Sequence, residues 1–207
     1  MSSTERYSDD HSNPPKLNLS SILSPPPNSL SHFSDSISRL AATMSSISTP
    51  TDSSRDSHLD STIALLNMCN TVLAQIEQLR LRCLRLKFAH PLLSSLISDH
   101  LSCARKALSE WEMWSSDNDS DLDLASVEEV EKTNVAVRRL REAIDSGKIA
   151  NEEFRVAIIE TEKVAEELTM GLDRLAAAVN KLFTVVMGSR NVVLDSYKVG
   201  VGPKKCK

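Results

Sequence analysis

The chain has 207 residues, of which 41% are hydrophobic, and a formal net charge of −4. This length supports one domain with a substantial core. The nearly balanced charge of the chain gives no reason to expect nucleic acid as a partner. Aromatic residues make up only 4%, and alternating β-branched runs bounded by turns do not occur. The composition therefore predicts an all-α protein.

Cysteine usage and the N-terminus bear on location. Four cysteines lack a tight spacing framework, and no apolar N-terminal run resembles a signal peptide. Both features indicate an intracellular, reduced protein. The apolar stretch 182–188 is far shorter than the roughly 20 residues that a membrane-spanning helix needs.

Residues 1–56 are rich in serine and proline, a composition that predicts mostly disordered chain. One short helix is expected near 29–44, because apolar residues recur there every three or four positions. These residues are Leu30, Phe33, Ile37, Leu40 and Met44.

A long amphipathic helix is predicted from Leu59. Its expected apolar stripe is Leu59, Ile63, Leu66, Cys69, Leu73, Ile76, Leu79, Cys83 and Leu86. Pro91 is expected to end or kink this helix, and a second one is predicted from there to about Trp114. The inward positions of the second helix are Leu93, Leu96, Ile97, Leu101, Ala104 and Leu108.

A third helix is predicted to start at the capping-box pair Ser126 and Glu129, or earlier at Ser120 or Asp121, and to end at Gly147. Its expected stripe is Val127, Val130, Asn134, Val137, Leu140 and Ile144.

The final helix is predicted from Asn151, with an end or bend at Gly188. Ten positions keep a 3.5-residue period: Phe154, Ile158, Thr161, Ala165, Leu168, Leu172, Leu175, Val179, Leu182 and Val186. Such a seam packs against a neighbouring helix in the same chain or in a homo-oligomer. We therefore predict an elongated antiparallel bundle over 57–189 with long, coiled-coil-like helices, followed by a basic tail over 190–207.

Candidate chemistry is sparse. Cys69 and Cys83 lie on the apolar stripe, where a reduced cysteine packs as a small hydrophobe. His100 and Cys103 have a spacing that could share a metal, but no second ligand pair accompanies them. Asp99 beside His100 could form an acid/base pair, yet no matched nucleophile or phosphate loop is present. The sequence thus predicts a non-enzymatic protein with no catalytic, cofactor or metal site.

Charged and serine-containing segments suggest regulation. The basic runs 79–87 and 137–142 are read as solvated helix faces, since they lack the interleaved aromatics of nucleic-acid platforms. Candidate phosphorylation sites precede a proline or lie three residues before an acid. They are Ser24, Thr49, Ser116 and Ser120.

The tail provides an alternative function. Its last residues include the cations Lys204, Lys205 and Lys207, and Cys206 among them is a candidate for acylation. Basic residues near an anionic membrane gain about 1 kcal/mol each. The alternative is a peripheral membrane protein docked through this tail.

Two segments resemble the plant BYPASS-like family. Residues 59–89, "LDSTIALLNMCNTVLAQIEQLRLRCLRLKFA", are similar to a family segment with an LD-x-S/T start and a leucine-rich "LLD-x-CN" core. Residues 172–198, "LDRLAAAVNKLFTVVMGSRNVVLDSYK", resemble its C-terminal end, with "VN-x-LF" followed by "SRN-x-LLD".

The resemblance implies a plant-specific, all-helical protein without enzymatic activity. It also implies a role in developmental signalling or trafficking, with other proteins, including exocyst-related ones, as partners. Some relatives are assigned to plastids or membranes. Because Glu5, Asp9 and Asp10 are unlike an acid-poor transit peptide, the expected location is cytoplasmic, with the chloroplast as alternative.

Replacing Leu182 with aspartate should destabilise the fold by several kcal/mol, since it places an unpaired charge in the predicted seam. Thermal unfolding followed by circular dichroism measures the effect. An unchanged melting temperature would contradict the placement of Leu182.

Overall fold

The computed structural model describes residues 28–46, 55–95, 98–112, 124–147 and 151–199. These ranges contain α1 (Leu30–Ser46), α2 (Arg55–Ser94), α3 (Ser98–Glu112), α4 (Glu128–Asp145) and α5 (Glu152–Val199), with a short 3-10 turn at Leu124–Ser126. The described residues contain no strand. The predicted all-α class is confirmed.

The longest helix, α5, is the centre of the bundle. Its 48 residues span about 72 Å at roughly 1.5 Å per residue. All ten predicted seam positions are buried, and Leu182 is fully so. The seam prediction is therefore confirmed.

Gly188 does not end α5, although an end there was one of the two outcomes predicted for it. The helix continues through this residue to Val199. A glycine inside a helix costs about 1 kcal/mol relative to alanine. Burial of Val186 and Val193 on either side outweighs that cost, so ten residues assigned to the tail are helical.

The second-longest helix, α2, runs antiparallel to α5 along its length, as predicted. Four contacts fix the register of the two helices. At one end, Tyr197 Oη donates to Asp56 Oδ1 (3.0 Å) and His58 Nε2 lies 2.9 Å from Ser189 Oγ. Further along, Arg80 Nη2 donates to Asp173 Oδ1 (2.6 Å) and His90 Nε2 donates to the Ile158 carbonyl (2.8 Å). Along this series the residue numbers rise in α2 while those of their partners in α5 fall, so the two helices run in opposite directions. The long α2 is thus the main partner of the seam.

The predicted stripe of α2 is right at Cys69 and from Ile76 onward, whereas Leu59, Leu66 and Leu73 are only partly buried and Ile63 is exposed. Thr62, Leu65 and Val72 are buried, whereas Ile63 is 43% exposed. Apolar side chains occur on both sides of this segment, so spacing alone did not decide which side faces α5. Thr62 tolerates burial because its hydroxyl donates to the Leu59 carbonyl at 2.7 Å.

Pro91 does not end α2, although an end there was one of the two outcomes predicted for it. The helix runs to Ser94, and α3 begins only at Ser98. A proline in a helix interior removes one backbone hydrogen bond and costs about 3 kcal/mol. Ala89 and Leu93 are buried on either side of Pro91, and this burial holds the last turn against the core.

The third helix, α3, turns back along the end of α2 and is anchored by Trp111. The buried Trp111 indole donates from Nε1 to Asn134 Oδ1 at 2.9 Å. Its ring lies 4.4 Å from the Arg82 guanidinium carbon, a cation–π contact. Arg82 is buried, unlike the solvated face predicted for its run, and burial lowers its pKa to about 10.

The predicted capping box of α4 does not form. The N-cap residue is Val127, which makes no side-chain cap hydrogen bond. The Glu129 carboxylate instead accepts the backbone N–H of Leu30, at 3.1 and 3.2 Å. The Glu128 N–H in turn donates to the Asn28 carbonyl at 2.9 Å. Glu129 therefore caps α1, 99 residues away in sequence.

The short N-terminal helix α1 is confirmed, and it docks on α5. Its six buried residues are Leu30, Phe33, Ile37, Leu40, Ala41 and Met44. Leu30 lies so close to Gly171 that a Cβ at Gly171 would be 2.8 Å from Leu30 Cδ1. Ser34 Oγ donates to the Arg174 carbonyl at 3.4 Å. These contacts place α1 parallel to α5 and end to end with α4.

Replacing Glu129 with alanine should remove the cap of α1 and cost about 1 kcal/mol of folding free energy. Amide hydrogen exchange over 30–34 should accelerate, because the Leu30 N–H loses its acceptor. Glu131→Ala is the matched control, since it removes a carboxylate from the same turn of α4 and leaves the cap. Equal effects of both substitutions would contradict the capping role.

Candidate docking face

The two stripe cysteines are free and buried, which confirms that they pack in the core. Burial raises the pKa of the Cys69 thiol to about 11. Burial also raises the pKa of Cys83. Neither side chain has the exposed, thiolate-rich setting of a reactive cysteine.

The residues considered for acid/base or metal chemistry lie in the first turns of α3. His100 Nδ1 lies 2.6 Å from Ser95 Oγ, while Asp99 and Cys103 are exposed. Within the described ranges no three His, Cys, Asp or Glu side chains are grouped as a metal site would require.

Other predicted sites lie outside the described residues. These are the candidate phosphorylation sites Ser24, Thr49, Ser116 and Ser120, and the tail residues Lys204, Lys205, Cys206 and Lys207.

A row of exposed apolar side chains runs along the C-terminal half of α2. Leu81, Leu84 and Phe88 are 58%, 48% and 68% exposed. Their spacing of three and four residues places them on one face of the helix. Neighbouring positions Cys83 and Leu86 are buried against the core. This part of α2 therefore has apolar residues on its outer side as well as its inner one.

A second exposed apolar row lies on the N-terminal half of α5, which is antiparallel to this part of α2. Val156, Ile159 and Met170 are each exposed by half or more. Their spacing places them on one helical side, away from the seam. Together the two rows hold six of the ten exposed large hydrophobic residues among those described.

A groove separates the two rows. Its cavity of about 320 Å³ is lined by Leu86, Lys87, His90, Thr161, Glu162, Ala165 and Glu166. On α2, Leu84 lies one helical turn from the groove residue Lys87. On α5, Ile159 and Met170 each lie one turn from a groove residue, Glu162 and Glu166 respectively. The apolar rows therefore flank the groove. We call the groove and its two rows the docking face.

The two sides of the docking face carry opposite charge. The α2 side has Arg80 and Lys87, and the α5 side has Glu162, Glu166 and Asp173. Arg85 instead pairs with Glu110 of α3 at 3.1 Å, and Glu167 lies 3.9 Å from Lys163. Arg80 joins the sides through its 2.6 Å bond to Asp173, and His90 Nδ1 lies 3.7 Å from a Glu162 carboxylate oxygen. The groove is therefore basic along α2 and acidic along α5.

The docking face was missed from sequence, although a signal for it exists. In the run 79–88, "LRLRCLRLKF", leucines occur on more than one side of a helix. A surplus of apolar residues beyond a single stripe indicates a second buried surface or an exposed patch.

Comparison with known proteins adds no family assignment. No protein-family model matches the chain, and neither a curated protein nor a solved structure matches it. Among the helices described here, none has the length and apolarity to cross a bilayer.

Thiol labelling at pH 8 should modify Cys103 quickly and Cys69 hardly at all in the folded protein. A pKa raised to about 11 keeps Cys69 protonated at this pH, and reaction requires the thiolate. Labelling of Cys69 should rise only as the pH approaches 11 or when denaturant unfolds the chain. Peptide-resolved mass spectrometry measures each site; equal rates for Cys69 and Cys103 at pH 8 would contradict the burial.

Proposed function

We propose that this chain is a non-enzymatic helical interaction protein that binds another protein through its docking face. The observation that carries the proposal is the presence of six exposed large apolar side chains on the two helices that border one groove. Contiguous exposed apolar patches are uncommon on proteins that act alone, and they mark interaction sites. The resemblance to the BYPASS-like family supports plant developmental signalling or trafficking as the setting, with exocyst-related proteins among the partners.

The energetics of the docking face support a specific complex. Burying a large apolar side chain fully contributes about 1.5–3 kcal/mol, so six half-exposed ones contribute on the order of several kcal/mol. Phe88 has the largest exposed fraction of the six, and buried aromatic residues often dominate binding energy. The charged residues beside the rows would set orientation and partner choice.

The charges of the docking face favour a protein over a membrane as its occupant. An anionic lipid surface would attract Arg80 and Lys87 but would repel the acidic residues on the α5 side. A protein can present both signs of charge at matching positions. The alternative of membrane docking through the tail concerns residues that are not described.

Proximity labelling in plant cells should identify proteins that depend on the docking face. The triple variant Leu81→Ser, Leu84→Ser, Phe88→Ser should lose a defined set of labelled proteins, because it removes the α2 row. Ile63→Ser is the matched control, since Ile63 is an exposed apolar residue of α2 outside the face.

The control variant should retain the same labelled set as the unmodified protein. Circular dichroism should show equal helicity for all variants, since the replaced side chains lie outside the core. If the triple variant keeps every labelled protein, the proposed function of this face is wrong.

A further inference from the structure

The two halves of the docking face are complementary to each other in charge. Its α2 half is apolar and basic, with Arg80 and Lys87, and its α5 half is apolar and acidic, with Glu162 and Glu166. A surface with two apolar halves of opposite charge can bind a second copy of itself, because each half can pack against the opposite half of the copy. Most homo-oligomers use such self-complementary contacts about a two-fold axis.

Two two-fold arrangements would bring two docking faces together, and charge distinguishes them. With the axis perpendicular to the helices, α2 would pack on α2 and place Lys87 against the basic row of its copy. With the axis parallel to the helices, α2 of each copy packs on α5 of the other. Like charges in contact are unfavourable, so only the second arrangement is electrostatically matched.

We propose that a second copy of this chain occupies the docking face, with the two-fold axis parallel to α2 and α5. The resulting four helices are each antiparallel to their neighbours, the arrangement of an up-and-down bundle. Because such an axis preserves height along the helices, the intrachain register also sets the contacts between copies. The bonds Arg80–Asp173 and His90–Ile158 define that register.

This register pairs the exposed residues of the two rows. Leu81 lies level with Met170 of the second copy, and Phe88 lies near the level of Ile159. Lys87 lies level with Glu166, so each dimer contains two such charge pairs. The apolar residues that are exposed in one chain therefore become the centre of the contact.

The inference rests on the proposed function in so far as both take this face as a docking surface. It goes further by naming the occupant and the symmetry. A foreign partner of mixed charge would have to reproduce the same pattern of acids and bases.

A charge-swap experiment on the full chain tests the arrangement. Dimer dissociation constants would be measured by size-exclusion chromatography with light scattering and by sedimentation for the unmodified protein, Lys87→Glu, Glu166→Lys and the double variant. Each single reversal should weaken the dimer about tenfold or more, because two pairs become repulsive. The double variant should restore the affinity to within about threefold, since both pairs are re-formed with exchanged signs.

Arg39→Glu is the matched control, because it makes the same change of charge at an exposed position of α1. It should leave the dissociation constant unchanged. Thermal melts of every variant verify that the fold is retained. A strictly monomeric unmodified protein, or single reversals that the double variant does not rescue, would overturn the inference.

The outcomes also separate this inference from the proposed function. A monomeric protein whose triple serine variant loses labelled partners refutes the dimer and leaves the partner-binding function standing. A charge-rescued dimer whose triple variant keeps all labelled proteins supports the dimer and refutes the binding of foreign partners through this face.

Discussion

The structure depends on covering one apolar seam that runs along nearly the whole of α5. From Phe154 to Val186 the inward positions of this helix are buried, a length that no isolated helix could keep away from water. The long helix α2 covers one flank from end to end. The other flank is covered by two shorter helices, α4 beside the N-terminal half and α1 beside the C-terminal half.

The junction between the two short helices α1 and α4 brings like partial charges close together. The N-termini of α1 and α4 face each other, and each carries unsatisfied N–H groups and partial positive charge. Glu129 resolves this by lying in the first turn of one helix and accepting the Leu30 N–H of the other. A local capping box would have served only α4, so the docking of α1 and the use of Glu129 at the junction are linked.

The docking face follows from the composition of α2. Its C-terminal half has apolar side chains on two sides, and the core together with α3 covers only one of them. Trp111 holds α3 over Arg82 on the covered side, which leaves Leu81, Leu84 and Phe88 outside. The same segment thus stabilises the fold through Cys83 and Leu86 and presents a binding surface through its outer row.

The sequence by itself determined the helical class, the short helix α1 and all ten seam positions of α5, because α1 has a single apolar stripe and the seam of α5 keeps an unbroken 3.5-residue period. Only the tertiary structure decided the inward side of α2 near Ile63, the continuation of helices through Pro91 and Gly188, and the burial of Arg82. It also decided that Glu129 caps a distant helix and that six apolar side chains remain exposed around one groove. The physical reason is that periodicity states which side of a helix is apolar. Which neighbour covers that side, and which distant group satisfies a buried polar atom, depends on contacts between segments far apart in the chain.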